Sequence, residues 1–206
     1  MLRVLGRLTS INVRKVTWAL DEMGVPFERD DWGKPLRDPN VPEFLALNPN
    51  GQVPVLIDDG FVLWESTAIL RYLAGKHGSA LWPADARERA LVDQWMTWQA
   101  TDLGPSWGYI VPALLRGTPP EPDPERLAAA GAAWTTKMLV VERHLAGSGG
   151  FVANGRFSLA DIVVALSTHR WQSVPFDKPP LPAAERHLAA MLARPAGKAA
   201  LDAATP

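Results

Sequence analysis

Asn48-Pro49-Asn50-Gly51-Gln52-Val53-Pro54-Val55-Leu56 is the stretch on which the fold turns. Asn50-Gly51 is a turn signal, and Val55-Leu56 begins an apolar run of strand character. Val53-Pro54 stands between them. Proline has no backbone donor and is unwelcome inside a central strand, so here it belongs at a strand start. An X-Pro bond in a tight turn leading into a strand is also a site for a cis peptide. A cis bond there turns the Val53 N–H and C=O outward, where an extended peptide can pair with them as an added strand. The alternative is a trans-proline that merely opens an edge strand.

Working outward, the first eighty residues alternate strand and helix signals. Leu2–Gly6 suits a strand. Val13, Val16, Leu20 and Met23 recur at near-helical spacing, and Gly24 with Pro26 closes that helix. Phe27–Asp31 reads as a second strand, and a short helix is expected around Glu43–Leu47. Val53–Ile57 and Phe61–Leu63 form a hairpin about Asp58-Asp59-Gly60. Glu65–His77 is helical, with Gly78 as its stop. Beyond Gly78 the strand signals cease. Residues 79–86 read as a linker, and 87–206 as an all-helical domain, with helices over Arg87–Thr101, Glu125–Leu145, Ala160–Trp171 and Ala183–Arg194. Gly104-Pro105 is expected to kink or interrupt the first of these. The pattern is a βαβ-ββα unit over 1–78 followed by a helical bundle.

Composition narrows the chemistry. With 206 residues the chain can bury one large core or two small ones. A formal net charge of −1, with no basic run, gives no field to draw nucleic acid or an anionic membrane. No apolar stretch approaches the roughly 20 residues that span a bilayer. The start is too short and polar for a signal peptide, so a cytoplasmic location is expected. There is no cysteine, which removes disulfides, thiolate metal sites and cysteine nucleophiles. Any thiol must arrive on a ligand. His77, His144, His169 and His187 lack metal-ligand spacing, so no metal is expected. Nine tryptophans are chiefly core filler, although several near one helical region could wall a pocket for flat or apolar ligands.

Two further segments carry chemistry. In Trp64-Glu65-Ser66-Thr67-Ala68-Ile69, Glu65 and Ser66 fall at a helix start, where unsatisfied N–H groups bind carboxylates. Ser66 adds a hydroxyl donor and Glu65 can accept from an ammonium, so together they suit an α-amino acid end. Ordinary helix capping is the competing role. In Thr9-Ser10-Ile11-Asn12, a hydroxyl or amide can point at a thiolate held above the strand ends and lower its pKa. Here too N-capping, by Ser10 or Asn12, competes.

In this order and at these intervals, the segments resemble the cytosolic glutathione transferases along the whole chain. Asn48–Leu56 is similar to that family's cis-proline segment, Trp64–Leu73 to its γ-glutamyl-binding helix, and Gly155-Arg-Phe-Ser-Leu-Ala-Asp161 to the capping box of its helical domain. The capping box has its own physics: Ser158 caps a helix and Asp161 reaches back to the Ser158 N–H. The resemblance implies a thioredoxin-like α/β domain followed by an all-α domain. It implies glutathione as co-substrate, lying against Gln52, Val53 and a cis Pro54, with Glu65 and Ser66 holding its γ-glutamyl end. The thiol would be activated from Thr9, Ser10 or Asn12, with Ser10 and Asn12 the leading pair. Ser10 aligns with the serine of theta-like members, and Gly6–Leu20 looks like a bacterial subgroup in which Asn12 competes. The expected reaction is thiolate attack on a small apolar electrophile, at carbon or on a peroxide or halide, in a pocket between the domains that draws on Trp107, Tyr109 and Arg116. A homodimer is the family's habit. Two alternatives share the fold: a non-catalytic glutathione- or ligand-binding stress protein, and a glutathione-dependent isomerase or dehalogenase. The zeta-type isomerases place Ser-Ser-Cys where this chain has Thr9-Ser10-Ile11.

Overall fold

The computed structural model describes residues 1–203 and divides into two units, Met1–Ala84 with the segment from Leu192 onward, and Asp85–Met191. In the first unit the strands are β1 (Leu2–Leu5), β2 (Glu28–Asp30), β3 (Val55–Asp58) and β4 (Phe61–Trp64). Its helices are α1 (Ile11–Met23), α2 (Pro42–Leu45) and α3 (Ser66–Lys76). The sheet runs β2-β1-β3-β4, with β1 parallel to β2 and antiparallel to β3, and β3 antiparallel to β4. This is a thioredoxin-like βαβ-ββα arrangement.

Period-two alternation sorts the side chains. Leu2, Val4 and Leu56 face α1 and α3, meeting Val13, Val16, Leu20, Ile69 and Leu73 in one core layer. Leu5 and Val55 point the other way, to Trp32 and Phe44. The β3–β4 turn is the two-residue loop Asp59-Gly60, between the paired Asp58 and Phe61. Both turn residues have positive φ, 47° and 90°, as a type I′ hairpin requires. Asp58 ends its strand inside the fold, accepting from Tyr72 Oη at 2.7 Å and from Lys76 Nζ.

The end of the chain departs from expectation. The helix expected over Ala183–Arg194 is α9 (Pro182–Leu192), and α10 (Pro195–Asp202) follows it. Pro195 cannot continue a helix but suits the first turn of a new one. From Leu192 the chain belongs to the first unit, where α10 packs on α1 and Arg194 donates to Glu22 at 2.8 and 2.6 Å.

The second unit is helical: α4 (Ala86–Trp98), α5 (Gly104–Ser106), α6 (Ile110–Arg116), α7 (Pro124–Gly147), α8 (Leu159–Ser173) and most of α9. Asp85 and Asp123 cap α4 and α7. The break signalled by Gly104-Pro105 falls just ahead of it, as a π-helical turn at Gln99–Leu103. Pro105 lacks the N–H that would bond Thr101, and the wider turn takes up the misfit. At α8, Asp161 accepts from the Ser158 N–H at 2.8 Å, Ser158 Oγ at 3.0 Å and the Val152 N–H at 2.8 Å, and it meets His187 Nε2 at 3.0 Å. Among the described residues no helix is long and apolar enough to cross a membrane.

Candidate functional site

The strand register brings three loops to one end of the sheet. Leu5, the last residue of β1, is opposite Val55, the first of β3, and Val55 is opposite Trp64, the last of β4. The segments just past those residues therefore leave the sheet together: Gly6–Ser10, Gly51–Pro54 and Glu65–Ser66. Gly6 makes the approach close. A Cβ there would stand 2.4 Å from Val13 Cγ2 and 3.2 Å from the Val53 Cβ, at a φ of +156°. Only a residue without a side chain lets β1, α1 and Val53 converge. In sequence Gly6 reads merely as a strand end; its place between an apolar strand and a helix start is the signal for the close approach.

Two helices open into this region without side-chain caps. α1 has Ser10 at its N-cap and α3 has Glu65, yet neither side chain bonds its helix, and neither first turn carries an acidic residue. The capping role that competed for Ser10 and Glu65 is thus not taken up. The first N–H groups of both helices remain without intrahelical acceptors, and their dipoles favour an anion. Ser10 and Asn12 are half-buried and Thr9 is exposed. Asn12 Oδ1 accepts from Lys15 Nζ at 3.0 Å.

The Val53–Pro54 peptide bond is cis. Val53 itself lies outside the ladder, which starts at Val55. The turn before it is held by Asn48, which donates through Nδ2 to the Gln52 carbonyl at 2.7 Å. Its Oδ1 accepts from the Asn50 N–H at 3.0 Å and from Asn50 Nδ2 at 2.9 Å. Gly51 has φ +61°, and a Cβ there would lie 2.6 Å from Asn40 Oδ1. Glu65 is a genuine backbone outlier, with φ 73° and ψ 110°. Holding a non-glycine residue in such a region costs about 1–3 kcal/mol. Its exposed side chain and the buried Ser66 stand at the mouth of α3.

Of the residues expected to face an electrophile, Trp107 and Tyr109 also have packing roles within the helical unit. Trp107 is buried, its ring 5.5 Å from that of Trp134 and the Arg170 guanidinium 5.4 Å above it. Trp134, wholly buried, also packs edge-on to Trp171 and stacks on Phe176. This cluster is core. Tyr109 Oη accepts from the Asp123 N–H at 3.0 Å while Arg126 covers its ring, so it staples α6 to the start of α7. Arg116 is exposed at the end of α6. An open cavity of about 730 Å³ in the helical unit is lined by Ile110, Leu114, Gly131, Thr135, Phe176 and Lys178, and by none of those three. Among the described residues no group of side chains could hold a metal ion.

Comparison with known proteins agrees with this geometry. The family described as "Glutathione S-transferase, N-terminal domain" matches residues 9–76. The glutathione S-transferase GstB of Escherichia coli K12 is 33% identical over 199 residues, covering 95% of each chain. Glutathione S-transferase 3 of Zea mays is 36% identical over 174 residues, 80% of this chain and 76% of the relative. Among solved structures, the theta class glutathione S-transferase of Xanthomonas axonopodis pv. citri with glutathione bound superposes with a TM-score of 0.94. It is 34% identical, and the match covers 100% of this chain and 99% of that one. A thioredoxin-like sheet unit with a cis-proline loop, followed in the chain by a helical unit, defines the fold class. Within that class the chain belongs to the glutathione S-transferase family.

Proposed function

We infer that this protein is a glutathione transferase that binds glutathione against Val53 and ionises its thiol from the loop Thr9–Asn12. The observation that carries this reading is the register that puts the Val53 backbone and the uncapped starts of α3 and α1 at one sheet end. A γ-glutamyl end presents a carboxylate and an ammonium. The N–H groups of α3 with the Ser66 hydroxyl suit the first, and the Glu65 carboxylate the second. Gln52, Val53 and cis Pro54 take the peptide backbone as an added strand. The α1 N-terminus, Ser10 and Asn12 then surround the thiol. Lowering a thiol by about two pH units takes roughly 2.7 kcal/mol, within reach of two good donors and a helix dipole.

The co-substrate of this reading is a small apolar electrophile, with the thiolate attacking carbon, a peroxide or a halide-bearing centre. Tyr109 and Arg116, which are not core, are the residues of the helical unit proposed to meet it, with the 7% of Trp107 that its cluster leaves exposed. The working assembly is a cytoplasmic homodimer, for which Phe61 and Trp64 on edge strand β4, 49% and 38% exposed, offer apolar surface to a second copy. Ser10→Ala and Asn12→Ala separate the two thiol-activating groups. The variant lacking the principal donor moves the apparent thiol pKa in the pH–rate profile up by about one unit or more, about tenfold less thiolate at fixed pH. A chloronitrobenzene, a haloacetate and an organic peroxide serve as assay substrates. If neither substitution shifts the profile, the loop assignment is wrong.

A further inference from the structure

Lys15 is 2% exposed, and it lies one turn behind the thiol loop on α1. Its Nζ is 3.0 Å from Asn12 Oδ1. An ammonium has three donors and no acceptor, so the Asn12 atom facing it must be the oxygen. That settles the orientation of the amide, which hydrogen-bond logic otherwise leaves open. With the oxygen engaged, the opposite end of the planar group, Nδ2 with two N–H donors, points away from Lys15. We propose that Lys15 is a positioning residue that locks the Asn12 amide with its NH₂ toward the glutathione sulfur. An amide free to flip would present its oxygen to the sulfur for part of the time, repelling a thiolate. A buried cation behind the carbonyl also polarises the amide, strengthening the N–H groups as donors. Lys15 thus acts through Asn12 and touches no reacting atom. The proposal rests on the glutathione reading above and makes Asn12 the principal donor there, with Ser10 as its neighbour.

The test is a double-mutant cycle with glutathione as the probe. Lys15→Met keeps the buried volume and removes the charge and the donor. Glutathione affinity, read by calorimetry, changes by no more than about threefold, because the peptide contacts lie elsewhere. The thiolate absorbance of the bound glutathione and the pH–rate profile both move up, by about half a unit to one unit. Asn12→Ala moves them at least as far, and the double variant no further than Asn12→Ala alone. Asn12→Asp, which leaves Lys15 a partner but gives the thiol no donor, matches or exceeds Asn12→Ala. An unmoved titration in Lys15→Met, or additive shifts in the double variant, overturns the positioning role while glutathione still binds. Should Lys15→Met fail to fold, Asn12→Asp decides alone, and a wild-type thiol pKa in it overturns the proposal. Failure of the unaltered protein to bind glutathione would instead remove the underlying reading.

Discussion

Glu65 shows how much of this molecule is decided one residue at a time. Its φ of 73° is a conformation that glycine adopts freely and that a side chain adopts at a cost. Glu65 is the residue at which the chain passes from β4 into α3. Glu65→Gly is therefore expected to raise the unfolding free energy by about 1 kcal/mol. It weakens glutathione binding about five- to tenfold, through loss of the carboxylate partner of the ligand ammonium. Thermal unfolding and calorimetry on one preparation check both; a variant that loses stability shows the backbone there to be unstrained. Residue-level roles were unevenly legible in sequence. The cis Val53-Pro54 bond and the helix start at Ser66 are legible by residue type and place. The Lys15–Asn12 contact is not, because it depends on burial and on an i, i+3 approach that residue type alone does not reveal.

At the scale of elements, local chemistry was a good guide wherever a turn or cap had one solution. Asp59-Gly60 predicts a tight hairpin and makes one. Ser158 and Asp161 predict a helix start, and Asp161 goes further by also accepting from Val152 and meeting His187. Asp161→Ala leaves these buried donors without an acceptor and is expected to destabilise the helical unit by about 3–5 kcal/mol. Circular dichroism melting reads this directly, and a loss below 1 kcal/mol would show the cluster to be dispensable. Guidance was poorer where two solutions competed. Gly104-Pro105 signals a break in the helix but not that the wider turn falls one turn earlier. Pro195 ends one helix and begins another, and nothing in its neighbours told which unit α10 would join.

For the molecule as a whole, strand signals cease beyond Gly78 and helical periodicity replaces them, a pattern that does not reveal that the segment from Leu192 groups with the first unit. The tryptophans were less readable. Nine rings can fill a core or wall a pocket, and only packing shows that Trp107, Trp134 and Trp171 do the former. Acid stability belongs to this scale. Hydrogen bonds from Lys76 and Tyr72 hold the Asp58 carboxyl below the usual carboxylate range. For Glu22, burial pushes the carboxyl up, but bonds from Arg194 and Trp18 outweigh it and the net direction is down. A depressed native pKa contributes stability that is present above the unfolded value, about 4, and is lost as pH falls through the native value. Tm should therefore fall below about pH 4. Asp58→Asn should flatten that fall while lowering Tm at neutral pH; an unchanged acid limb would show that Asp58 does not contribute to it.

The central claim is that this chain binds glutathione and ionises its thiol. Titrating glutathione bound to the unaltered protein, with the thiolate followed by ultraviolet absorbance across pH, tests it most directly. One glutathione is expected to bind per chain, with an apparent thiol pKa about two units below the ordinary cysteine value of about 8.5. Bound glutathione whose thiol titrates at that ordinary value, or no binding at all, would contradict it.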